Sequence, residues 1–179
     1  PAPSAQKAKT ESAGAGNLAR IQAAKVLRIG VRADSPPFCS VDKDGNPQGF
    51  DVDLGLRLAR ALNVDPLFVT VTGPERLERL QKGDVDVVIA TLTATRRRAK
   101  EIDFSQPYFQ DQQGLLVKAD SPVQSYRDLA GRKIAAMSGS TSIDNIKVVS
   151  PDAQVAPVKS LSEAFEMLTR GEVDAMTGD

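Results

Sequence analysis

The chain has 179 residues, 41% of them hydrophobic and 26% charged, with a formal net charge of zero. That balance fits one large or two small globular domains and gives no reason to expect nucleic acid as a partner. With no His and a single Cys, zinc ligation, a catalytic His and an internal disulfide fall away, and no run nears the roughly 18 apolar residues of a bilayer span.

Residues 1–16 are small and polar, with too little apolar surface to fold, and read as a disordered tail. No Met and no hydrophobic targeting segment stand ahead of them, which suits a processed export product and equally a trimmed chain. Val26–Val31 reads as a strand, followed by a loop from Arg32 to Phe38 that contains Pro36-Pro37. The lone Cys39 reads as a partly buried thiol. Asp44-Gly45-Asn46 marks a hairpin-type turn. A helix is expected from about Val52 to Leu62, where Leu54, Leu58 and Leu62 form an apolar stripe and Asp51 and Asp53 suit the first turn. Leu67–Val71 is a second strand. Pro74 then opens a helix carrying Leu77 and Leu80, which Gly83 closes.

Val85-Asp86-Val87-Val88-Ile89-Ala90 is an apolar, β-branched run that reads as a buried parallel strand. Past it come the hydroxyls of Thr91, Thr93 and Thr95, then Arg96, Arg97 and Arg98. Thr95 is placed to cap a new helix with Arg98 three residues inside it. Two readings fit this stretch. One is an anion receptor in which amide groups, a helix dipole and a guanidinium converge; the other is a solvated basic turn. The β-α-β-α-β order predicts a parallel sheet covered by helices.

The pattern restarts near Gln113–Lys118. Ser125 is expected to cap a short helix through Leu129, and Lys133–Met137 is a strand. The loop Ser138-Gly139-Ser140-Thr141 enters a helix carrying Ile143 and Ile146, and Ala153–Val158 is another strand. Ser160 with Glu163 reads as a capping box on a helix whose inner face is Leu161, Ala164, Phe165 and Leu168. Gly171 ends it and Val173–Met176 begins a strand. Leu80–Asp86 matches Leu168–Asp174 in residue type, position by position, at the same place in two successive runs. That argues for two lobes of one architecture, with ligands outside the strand C-termini. The same offset maps Thr91 onto Asp179.

The motifs Leu27-Arg28-Ile29-Gly30-Val31, Pro37-Phe38, Gly49-Phe50-Asp51-Val52-Asp53-Leu54, Gly83-Asp84-Val85-Asp86, Thr93–Arg98, Asp103-Phe104-Ser105-Gln106-Pro107-Tyr108 and Gly171–Ala175 come in order. In them the chain resembles the periplasmic solute-binding proteins for polar amino acids, the receptors of ATP-driven (ABC) uptake systems. The resemblance runs from about Val26 to Asp179. It implies an α/β, two-lobe, periplasmic-binding-protein-like fold with parallel sheets and a hinge. The division it implies is a tail 1–16, lobe 1 over 17–112, a hinge strand 113–117 and a partial lobe 2 over 118–179. The second lobe reads as incomplete, because members of the family continue past the Asp179 position, and exposed apolar surface there would favour self-association.

By the same resemblance, Arg98 grips the ligand α-carboxylate with help from Thr93 and Thr91. Thr141 assists from the second lobe, and Asp179 binds the α-ammonium. Arg96 and Arg97 stay solvated. Side-chain selectivity falls to Arg32, whose cation would favour L-glutamate or L-aspartate and repel basic ligands. The other reading of Arg32 is that it points to solvent or pairs with Asp34 or Asp51. Phe38 either packs over the ligand or belongs to the core. The implied protein is not an enzyme, needs no cofactor or metal, works outside the cytoplasm and hands its amino acid to a transporter permease. The alternatives are a ligand-sensing module of a membrane receptor and a dehydratase-like enzyme. The latter would need a general acid, for which only Asp179 is on offer.

Overall fold

The computed structural model describes residues 16–178, which divide into two compact units. Unit 1 comprises the chain up to Val71 together with Arg76–Leu92; unit 2 comprises Thr72–Glu75 and the chain from Thr93 onward.

In unit 1 the central strand is β1, Val26–Val31, where the sequence placed it. β2, Ser40–Val41, and β3, Pro47–Gln48, form an antiparallel hairpin around the expected Asp44-Gly45-Asn46 turn. That turn is held by the Asp42 carboxylate, which accepts from the Asp44 and Asn46 amides. β4, Asp65–Thr70, and β5, Val87–Val88, both run parallel to β1, giving the order β4-β1-β5. Hydrogen bonds from Asp86 N to Arg28 O and from Ile89 N to Gly30 O extend the β5 pairing at both ends. Leu27, Ile29 and Val31 are almost fully buried, each contributing about 2 kcal/mol by leaving water.

Helix α1 covers residues 16–24 and sends Ile21 into this core. The tail expected over 1–16 otherwise lies outside the described residues. α2, Phe50–Leu62, starts two residues earlier than its apolar stripe suggests and ends on Asn63 in the left-handed conformation, φ 55°. Its Leu54, Leu58 and Leu62 pack on the β1 cluster, beside the fully sunken Val52 and Ala59. α3, Glu75–Gln81, follows Pro74 as expected.

Unit 2 holds a four-stranded sheet built from β6, Gly114–Leu116, β7, Lys133–Met137, β8, Gln154–Val158, and β9, Ala175–Gly178. The order is β6-β9-β7-β8, with β6 antiparallel to β9 and the other pairs parallel. Alternation along β7 sorts the core into two faces. Ile134 packs with Ile146 of α4, Thr141–Val149, while Ala135 packs with Ala164 and Leu168 of α5, Leu161–Arg170. Ser125 caps the 3-10 turn Tyr126–Leu129 with a complete capping box.

Four expectations change. Phe165 is 56% exposed, and Met167 supports the α5 face in its stead. Ser160 does accept from Glu163 N, but the Glu163 carboxylate takes the Lys159 amide, not that of Ser160. The helix expected after Thr95 is a single 3-10 turn, Arg98–Lys100, because its exposed residues supply no apolar face to bury. Residues 93–112, expected in the first lobe, cluster with unit 2, where Arg98 and Arg97 are bonded to Gly139 and Asp144.

The internal repeat survives as geometry. Gly83 and Gly171 take φ of 75° and 76°, the left-handed turn that a side chain would disfavour. Three residues on, Asp86 N donates to Arg28 O while its carboxylate accepts from Arg28 N at 2.9 Å. Asp174 repeats this on Lys133, with its carboxylate 2.8 Å from Lys133 N.

Candidate functional site

In unit 1, β1 delivers Arg32 directly past Val31, and the Arg32 side chain is almost fully buried. Nε donates to Asp34 Oδ1 at 3.0 Å and Nη1 to Thr91 Oγ1 at 3.2 Å. Nη2 is buried with no hydrogen-bond partner among the described residues. Of the readings open for Arg32, pairing with Asp34 is therefore realised. The Asp34 side chain remains 37% exposed, so the pair has one wet member.

Thr91 follows β5 with φ at 48°, a left-handed conformation rare for a β-branched residue. The ladder to β1 stops at Ile89, so the carbonyls beyond it need other donors. Arg76 of α3, also buried, supplies them: its Nη1 lies 2.8 Å from both Ala90 O and Thr91 O. Sequence reasoning passed over Arg76. The signal was an Arg four residues before Leu80, on the helix face that the leucines mark as inward.

Phe38 is half-buried and meets Phe50 edge to face, with ring centroids 6.2 Å apart. The loop carrying it, which holds the cis Pro36–Pro37 bond, is seated on the start of α2. There Pro37 O and Phe38 O accept from the Phe50 and Asp51 amides. Gly49 makes this possible: its φ is 128°, and a Cβ there would stand 2.5 Å from Phe38 O. Burial pushes the adjacent Cys39 thiol up, and the Asp51 and Asp34 charges add to the rise. Cys39 is a fully buried core thiol, deeper than expected.

In unit 2, Arg98 is buried at 4% exposure. Its backbone N–H donates to Thr95 Oγ1 at 3.2 Å, the capping contact expected of Thr95. The guanidinium donates through Nη1 to Thr93 O and through Nη2 to Gly139 O, both at 2.7 Å. Thr93 thus meets Arg98 through its carbonyl, and its side chain is exposed. Thr141 is the first residue of α4, half-buried, and follows Ser140, whose hydroxyl donates to Met137 O. Arg96 and Arg97 are exposed, with Arg97 in a loose ion pair to Asp144. Asp179 lies outside the described residues.

The structure thus brings Arg32 and Thr91 together in unit 1, with Asp34 and Arg76 added, and Arg98 and Thr93 together in unit 2, with Gly139 added. Both groups are buried guanidinium centres on strand C-terminal loops, suited to oxygen acceptors such as carboxylates and amides. No cluster of metal-ligating side chains is present among the described residues, and none of their helices is long and apolar enough to cross a membrane.

Parallel strand pairs in two α/β units, with buried arginines in the loops that follow, fit a fold of the periplasmic-binding-protein type. The chain belongs to the bacterial extracellular solute-binding proteins, family 3, which it matches over residues 27–169. It is 38% identical over 167 residues to the ABC transporter glutamine-binding protein GlnH of Bacillus subtilis, covering 90% of this chain and 61% of that one. It is 37% identical over 178 residues to the glutamine-binding protein of Geobacillus stearothermophilus, covering 97% of this chain and 68% of that one. The chain thus spans about three fifths to two thirds of the length of these relatives. Among solved structures, the ancestral amino acid-binding protein AncCDT-1, a precursor of cyclohexadienyl dehydratase, superposes with a TM-score of 0.85. It is 38% identical, over 90% of this chain and 74% of that one. The two-lobe α/β fold inferred from the motifs is therefore the fold of this chain.

Proposed function

We propose that the protein is an extracytoplasmic receptor for a polar L-amino acid, delivered to the membrane permease of an ABC transporter, and that its preferred ligand is glutamine. Family membership and the binding described by its relatives' names support the class of ligand. The observation that carries the side-chain assignment is the buried Arg32, with Nε committed to Asp34 and Nη2 lacking an acceptor. A carboxamide complements that pair: its oxygen accepts from Nη2, and its NH2 donates to the Asp34 carboxylate.

Glutamate is the second reading, favoured by the Arg32 charge alone, and aspartate shares its chemistry. The Asp34 carboxylate on Nε offsets that charge and would repel a second anion, so glutamine is ranked first. Basic ligands face Arg32 itself. Arg98, with Thr93 and Thr141, is assigned to the ligand α-carboxylate and Asp179 to the α-ammonium. Phe38 is assigned to the aliphatic part of the side chain. The function is binding, without a catalytic step.

Isothermal titration with glutamine, glutamate, aspartate and arginine tests this on the wild type, Arg32→Ala and Asp34→Asn. Glutamine binds tightest to the wild type, Asp34→Asn moves the preference toward glutamate, and Arg32→Ala weakens both by at least about tenfold. Unchanged glutamine affinity in Arg32→Ala would overturn the assignment.

A further inference from the structure

Arg76 has no part in the functional assignments above, yet it is one of the most deeply buried charged residues described, at 2% exposure. Its Nη1 carries two N–H groups, and the two carbonyls at 2.8 Å are those of consecutive residues, Ala90 and Thr91. Consecutive carbonyls of an extended strand point to opposite sides, so one nitrogen reaches both only where the chain turns. The turn is Thr91 itself, at φ 48°. Its hydroxyl is the acceptor for Arg32 Nη1.

We infer that Arg76 is a positioning residue for ligand selectivity: by holding the Ala90 and Thr91 carbonyls it keeps Thr91 in the left-handed conformation that aims its hydroxyl at Arg32. The inference rests on the reading of Arg32 as the group that recognises the ligand side chain. The chain of contacts runs Arg76, Thr91 backbone, Thr91 hydroxyl, Arg32, all within unit 1. A threonine does not keep φ near 50° unaided, since its branched Cβ crowds the backbone there. Released, it returns to the extended region, its hydroxyl leaves Nη1, and Arg32 is held by Asp34 alone. The guanidinium then has freedom to turn its open edge toward the carboxylate of Asp34, which blunts discrimination between an amide and an acid.

A double-mutant cycle tests this, using Arg76→Lys and Thr91→Val in the intact chain, with Arg76→Met as a harsher variant. Lysine keeps the charge and can reach one carbonyl, whereas valine keeps the shape of Thr91 and removes its hydroxyl. The expected result is that Arg76→Lys lowers the ratio of glutamine to glutamate affinity by about tenfold, and that this loss vanishes in the Thr91→Val background. Equal losses in both backgrounds would make Arg76 a general structural residue and overturn the inference. A second readout needs no ligand. The exchange rate of the Arg32 guanidinium protons, followed by NMR, rises in Arg76→Lys and in Thr91→Val to the same extent, and the double variant adds nothing. If the wild type bound no amino acid, the functional reading would fail while the proton-exchange cycle still decided the role of Arg76. Arg32 exchange unchanged by Arg76→Lys would refute it.

Discussion

Replacing Asp86 by Asn isolates the ion pair that ties α1 and β1 to the start of β5. The Asp86 carboxylate is 1% exposed and accepts from Arg28 N at 2.9 Å, Arg28 Nε at 3.1 Å, Arg28 Nη2 at 2.6 Å and Arg20 Nη2. Burial alone would raise its pKa, but the hydrogen bonds and charge of Arg28, with help from Arg20, overcome that and hold it at about 2. Against an ordinary value of 3.8, this corresponds to about 2 kcal/mol of folded-state stabilisation. Removing one partner of a buried pair costs 3–5 kcal/mol in general, but Arg28 is 29% exposed and water relieves part of that. The expected loss in Asp86→Asn is therefore about 2–3 kcal/mol at pH 7, read by urea unfolding. The folded-state pKa is depressed, so the contribution is complete above pH 3.8 and fades as pH falls toward 2. The gap between wild type and variant should close over that window. The repeat supplies a control. Asp174 makes the same backbone bond but pairs with Arg132 at 3.3 Å, both side chains being over a third exposed, so the ion pair contributes less than about 1 kcal/mol. Equal stability of wild type and Asp86→Asn at pH 7, or a gap that persists unchanged to pH 2, would refute the reasoning.

Other outcomes follow from single contacts. Gly49→Ala forces a Cβ to 2.5 Å from Phe38 O and should destabilise unit 1 by more than about 1 kcal/mol, visible as a lower urea midpoint. Phe165→Ser should change stability by no more than about 0.5 kcal/mol, since the ring is more than half exposed; a core-sized loss would restore Phe165 to the inner face. Arg98→Met should lose amino acid binding in titration calorimetry, whichever side chain the ligand carries, because the α-carboxylate is common to all. Retained affinity would remove Arg98 from the binding group.

Much of the fold was legible because its signals are local. β1 and β7 fall where runs of β-branched and small apolar residues stand between polar flanks, and the Ser125 box closes within four residues. The matched helix–Gly–strand segments announced the repeat, and the Asp that recurs just before each strand makes the same backbone bond in both units. What was not legible depended on partners distant in sequence. Phe165 and Met167 flank the same stripe on α5, and only the sheet beneath decides which one is covered. The bonds of Arg98 to Thr93 O and Gly139 O, the second 41 residues away, could not be read from the local sequence. Arg32 was legible as a cation just past the end of β1, but its use of Asp34 was one reading among several. Arg76 was hidden because a buried arginine among leucines reads as a surface residue until the carbonyls it serves are located.

The central claim is that this chain binds a polar amino acid, glutamine first, and a thermal-shift screen against the twenty amino acids tests it most directly. A ligand that binds only the folded state at about a hundred times its dissociation constant adds about 2.7 kcal/mol, or a rise of about 5–10 °C for a chain of this size. The account predicts such a rise with glutamine, a smaller one with glutamate and none with arginine or lysine. The largest rise with a basic amino acid, or no rise with any of the twenty, would contradict it.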